Sequence, residues 1–152
     1  MSSIRRATEA DAPAIARMGM AFIEQSGHGR MFAPTLGELE ERTRAMIAVP
    51  DCAVFVADRD GAPCAMLVGA IVGTWFAPTK PFAVELAWWV DPEARGTTIA
   101  VRLVLAYEAW ARESGALAAT MSSLEGCNGE IVGTMLARMG YARGETTSYK
   151  EL

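Results

Sequence analysis

The chain has 152 residues, 51% of them hydrophobic and 21% charged, with a formal net charge of -4. That length and apolar content fit one domain, residues 1–152, with a sizeable core, and Lys and Arg scattered through an acidic chain argue against a nucleic-acid binder. Three cysteines without paired spacing and a single histidine, His28, argue against a disulfide framework, a metal site and a Ser-His-Asp triad. No apolar run reaches the roughly 18 residues of a spanning helix, and MSSIRRATEADA lacks the apolar core of a signal peptide. A cytoplasmic protein without membrane contact is expected.

Ile4 to Arg6 read as a short first strand. Asp11, with Pro13 just beyond it, can cap a helix whose apolar face is Ile15, Met18, Phe22 and Ile23. The two glycines and the proline of SGHGRMFAP, Ser26 to Pro34, predict a mobile loop. Thr35 and Glu38 have the T-x-x-E spacing of a capping box for a second helix that ends before Pro50. Ala53 to Ala57 and Cys64 to Trp75 read as strands of a hairpin joined at DRDG.

After APTKP, Phe82 to Val90 alternates, with Phe82, Val84, Leu86, Trp88 and Val90 on one face and Ala83, Glu85, Ala87 and Trp89 on the other. Trp88 and Trp110 are expected in the core, Trp89 less so because it shares a face with Glu85. A helix follows with Ile99, Leu103, Ala106, Tyr107 and Trp110 inward and Gly115 as its stop. Ala116 to Met121 reads as a strand, Asn128 as an N-cap, Glu130 to Met139 as a helix, and Tyr141 onward as a final strand or strand pair. The order β-α-α-β-β-β-α-β-α-β predicts a single mixed α/β layer structure.

Between that fourth strand and its helix stands WWVDPEARGTTIAVRL, Trp88 to Leu103. A helix that starts just after a strand presents unpaired N–H groups and the positive end of its dipole. Gly96 permits close backbone approach, Arg95 adds charge, and Thr97 and Thr98 add hydroxyl donors, so the turn can bind a pyrophosphate. A plain capped helix start, with Arg95 solvated, is the competing reading.

V-D-P-E-A-R-G-T-T-I-A, Val90 to Ala100, resembles the V-x-P-x-x-R-G-x-G-x-G/A motif of the GCN5-related N-acetyltransferases. IRRATEADAPAIARM and LARMGYARGETTSYKEL resemble that family's first and last units, in the same order. The resemblance implies an acyl-CoA N-acyltransferase fold: a central twisted mixed sheet flanked by about four helices. It also implies an acetyl-CoA-dependent acyltransferase that needs no metal, with acetyl-CoA and an amine acceptor as partners and room for a homodimer. The pyrophosphate would meet Arg95 and backbone N–H groups of Gly96, Thr97, Thr98, Ala100 and Val101. Pantetheine would pair with the main chain of Trp88, Trp89 and Val90 where the fourth and fifth strands splay apart, and would touch Asn128.

Two departures from the motif bear on function. Thr98 replaces the usual glycine, and Leu136 stands where many members carry the tyrosine that protonates the leaving thiolate. Tyr149, Tyr107, Ser122 or a water are the substitutes. Glu85, the one charged residue in its strand, is the candidate base, with Glu125 or a water next in line. A catalytically silent CoA-binding or protein-interaction module is the alternative.

Overall fold

Asp60 and Gly61 make a two-residue turn between paired strands. Both sit at positive φ, 53° and 83°, as a two-residue type I′ hairpin turn requires, and they join β2 (Cys52–Arg59) to β3 (Ala62–Gly73). The computed structural model describes residues 2–152. Its sheet runs in the order β1-β2-β3-β4-β5, adding β1 (Ser3–Arg6), β4 (Pro81–Val90) and β5 (Ala119–Thr120). Neighbours pair antiparallel except β4 and β5, which are parallel.

Helices α1 (Ala12–Ser26), α2 (Gly29–Phe32) and α3 (Leu36–Ala48) precede β2. Helix α4 (Ile99–Glu113) crosses from β4 to β5, and α5 (Gly129–Arg138) follows β5. The central strands are covered on both faces, which is why they read as continuous apolar runs. On one face Phe55 and Leu67 pack with Leu103, Val104 and Tyr107 of α4. On the other Val54, Val56, Met66 and Trp89 pack with Ile15 and Met18 of α1. No helix among the described residues is long and apolar enough to cross a membrane.

Several expectations are corrected. The Ser26 to Pro34 segment is not all loop, because residues 29–32 close one helical turn. Asp11 does not cap α1 with its side chain; its carboxylate is occupied by two bonds from Arg5, both 2.8 Å, and by the Thr8 N–H at 2.7 Å. The Thr35–Glu38 capping box forms as its spacing predicts. Asn128 occupies the cap position of α5 at φ 58°, with no side-chain cap bond.

The strand expected at Ala116 to Met121 shortens to two residues, although the Leu117 N–H still donates to the Pro81 carbonyl. No strand forms after Tyr141. The edge offered by β5 is too short to seat one, and ARGETTSYKEL brings no alternating apolar face to offset the entropy of ordering.

The alternation of β4 also fails at one point. Ala87 pairs with Val68 and Glu85 with Gly69, so Leu86 has no partner and forms a β-bulge. Glu85 is thereby turned to the α4 side with Trp88 and Val90, while Ala87 and Trp89 face α1. Trp89 is the buried tryptophan, 6% exposed, and Trp75 is exposed.

Candidate active site

β4 and β5 form a fork. They pair only at Ala83 with Ala119 and Val84 with Thr120, after which β4 continues to Val90 with no partner on that side. The β5 chain turns away through Ser122, Ser123 and Leu124 into a single helical turn at Glu125–Cys127. The crotch lies at Glu85, whose carboxylate accepts the Ser122 N–H at 3.1 Å. One residue past the last rung, the side chain thus replaces the missing main-chain bond.

Burial pushes the Glu85 carboxyl up to about 7 against an ordinary 4.5, and the bonds from Ser122 oppose the shift without cancelling it. A carboxylate poised there is half-ionised at neutral pH. The cavity it lines has a volume of about 250 Å³ and runs between Leu86 and Trp88 of β4, Phe22 and His28 of the first helical layer, and Ser122 to Leu124, Cys127 and Val132 of the diverging arm. His28 meets Ser26 Oγ through Nδ1 at 3.2 Å and stands edge-on to Phe32 and Tyr149. Leu86, half-exposed, reaches the cavity because of the bulge, and no periodicity in the sequence signals that. The same holds for Phe22, which the helical pattern counts as core.

The turn after β4 carries the second part of the site. Gly96 is left-handed at φ 74°, with nothing within 4 Å of where a Cβ would stand. The first main-chain bond of α4 runs from the Arg102 N–H to the Thr98 carbonyl. The N–H groups of Gly96, Thr97, Thr98, Ala100 and Val101 therefore lack partners among the described residues. Thr98 is exposed in ordinary right-handed geometry, φ -78° and ψ -1°, so the backbone here does not require the glycine it replaces. The Thr97 hydroxyl is engaged locally, donating to the Ala94 carbonyl at 2.8 Å.

Arg95 turns back from the helix start. Its guanidinium lies over the Trp89 ring at 4.7 Å, donates to the Val90 carbonyl at 2.9 Å, and reaches Gln25 Oε1 of α1 at 3.2 Å. Trp89 in turn donates to Asp91 at 2.8 Å, and Asp91 pairs with Arg17 at 3.0 Å. This chain of contacts fixes the end of β4 against α1. Gln25, which no sequence pattern singles out, also reaches the Gly126 carbonyl at 3.4 Å and so touches both arms of the fork.

Asn128 is exposed at the start of α5, on the diverging arm. Leu136 is buried at 6% exposure, so an apolar side chain fills the place of the expected acid. Of the substitutes, Tyr107 is fully buried, donates to the Thr120 carbonyl at 3.1 Å, and is pushed far above the ordinary phenol range by burial. It does not face the cavity. Ser122 lines the cavity, Tyr149 stands at its rim against His28, and Glu125 lies outside the lining.

Comparison with known proteins agrees with this geometry. The acetyltransferase (GNAT) family matches residues 27–126. No curated protein matches the chain by sequence. Among solved structures, a transcriptional regulator from Bacillus halodurans C-125 aligns with a TM-score of 0.80 at 16% identity, covering 100% of both chains. A GCN5-related N-acetyltransferase from Ralstonia eutropha JMP134 aligns at 0.74 with 19% identity over 99% of this chain and 98% of that one. An aminoglycoside acetyltransferase from an uncultured soil metagenomic sample, in complex with sisomicin, aligns at 0.74 with 16% identity over 99% and 96%. These likenesses carry the fold. The family match covers β4, the turn after it and the diverging arm as far as Gly126, and the chain belongs to the acetyltransferase (GNAT) family.

Proposed function

We propose that the protein transfers an acetyl group from acetyl-CoA to a primary amine of a small molecule, protein or peptide, by direct attack in a ternary complex, with residues 1–152 acting as one domain. The fork carries this reading: the free edge of β4 leads from a cavity holding a carboxylate near neutral pKa to a helix start with unpartnered N–H groups. An extended pantetheine arm laid along Trp88, Trp89 and Val90 would pair as an added strand, with Asn128 on its other flank. Its phosphates would then meet the N–H groups of Gly96, Thr97, Thr98, Ala100 and Val101, with Arg95 supplying charge beside them.

Each chemical step has a residue to perform it. An alkylammonium of pKa near 10.4 needs about 4.6 kcal/mol to lose its proton at pH 7, so a base beside it is required. Glu85 takes that proton, the nitrogen lone pair attacks the acetyl carbon, the C–S bond breaks to release the thiolate, and the nitrogen sheds its second proton to solvent as the amide forms. Free N–H groups on the β4 edge between the bulge and Trp89 are the nearest donors to the developing oxyanion. With the tyrosine position filled by Leu136, protonated Glu85 is itself a suitable donor, since a thiolate whose thiol has a pKa near 8.5 is more basic than a carboxylate whose acid has a pKa of about 7.

The test is a thermal shift. Acetyl-CoA is expected to raise Tm, and Gly96→Asp to abolish the rise by setting a negative charge among the phosphate-binding N–H groups. The substitution strains the turn at φ 74°, but Asp is among the non-glycine residues that visit the left-handed region most readily and the space is open, so the apo fold is expected to persist. An unchanged shift in the variant would move the phosphates elsewhere. The buried Leu136 favours a second reading, a CoA-binding module without transfer chemistry, which a turnover assay over a panel of amines separates from the first.

A further inference from the structure

We propose that the acceptor is a primary monoamine with an apolar body about the size of a benzene ring on a short linker, and not a polycationic amine. The proposal rests on the reading that the cavity beside Glu85 receives the amine.

Glu85 is the one carboxylate among the residues that line the cavity. The facing walls are Phe22, Leu86, Trp88, Leu124 and Val132, and the remaining lining groups are neutral hydroxyls, a thiol and an imidazole. One ammonium can therefore find one counter-charge. A second or third ammonium carried into the same space would meet no second carboxylate, and taking an unpaired charge out of water is unfavourable.

Size points the same way. A cavity of 150 Å³ with apolar walls is enough for benzene, and this one holds about 250 Å³, the remainder being shared by the acetyl thioester entering past Trp88, the linker and the reacting nitrogen. At the rim, His28 meets the edges of Phe32 and Tyr149 at centroid distances of 6.3 and 5.6 Å, and both rings are largely exposed. The apolar surface thus continues outward from the cavity along the path an acceptor body would follow. The aminoglycoside enzyme with the same fold need not share this chemistry, because one fold hosts many acceptor sites.

The test is steady-state kcat/KM with acetyl-CoA for phenethylamine and isoamylamine against spermidine and sisomicin. The monoamines are expected to lead by at least about tenfold. Ser123→Asp, which adds a second carboxylate to the wall, is expected to shift the ratio of spermidine to phenethylamine upward by about tenfold or more. Spermidine or sisomicin matching the monoamines in the unaltered protein would overturn the proposal while leaving acetyl transfer intact, as would a ratio that Ser123→Asp does not move. Acetyl-CoA binding with no amine turned over would instead remove the acetyl-transfer reading, and this inference with it.

Discussion

Glu85 joins two properties that are usually apart: it lies on a central strand and it titrates near neutrality. Glu85→Gln keeps shape and hydrogen bonding but cannot accept the proton. It is expected to lower kcat by about 10²-fold or more, with little change in the acetyl-CoA thermal shift and partial recovery as pH approaches the pKa of the amine. The same substitution changes how stability depends on pH. The folded chain keeps a proton on Glu85 up to about 7, whereas the unfolded chain releases it above 4.5. Between those values the unfolded state binds fewer protons, so stability falls as pH rises. Glu85→Gln removes that slope, so its Tm relative to the unaltered protein is expected to improve between pH 4.5 and 7; parallel Tm curves would show the carboxyl to be ionised in the folded state.

At this scale the sequence was partly legible. Glu85 stands out because a lone charge in an apolar strand needs a reason, and Gly96 because a glycine after an arginine at a helix start permits close backbone approach. Leu86 and Gln25 do not stand out. One reaches the cavity through a bulge, and the other bridges the fork through bonds to residues distant in sequence.

Elements built on local chemistry were legible, and those that depend on a partner were not. The Thr35–Glu38 box and the Asp60-Gly61 turn act within a few residues, and both form as predicted. The bulge, the shortened β5 and the missing last strand depend on what lies alongside. A one-residue bulge inverts every side chain beyond it, which is why Glu85 and Trp89 part company. Opposite Glu85, Gly69 leaves room for the α4 layer: a Cβ there would stand 2.7 Å from Tyr107 Cε2. Tyr107 is fully buried and cannot swing aside. Gly69→Ala is expected to cost about 1–3 kcal/mol, lowering Tm by roughly 3 to 10 °C for a chain of this size. Differential scanning calorimetry would read it directly, and an unaltered Tm would mean that α4 packs more loosely than these distances state.

For the molecule as a whole, the helix-sheet-helix layering follows from apolar runs covered on both faces, and apart from the one-turn α2 the order of elements is written in the sequence from β1 to α5. What the sequence does not convey is how unevenly the layers are joined. β1 to β4 share ladders of four rungs or more, whereas β5 has two rungs, supported by main-chain bonds at Leu117 and Ala83, the Tyr107 hydroxyl and the Glu85 carboxylate. The segment from Met121 onward is therefore the part able to open without global unfolding. Amide hydrogen exchange is expected to be fast in α5 and slow in β2 and β3, with acetyl-CoA slowing α5 selectively because a ligand between the arms ties the weak half to the strong one. Uniform protection along the chain would mean that the fork is rigid. A site built on such a seam couples substrate binding to cooperativity of the fold, so the empty protein and the loaded one would differ less in shape than in how much of the chain unfolds together.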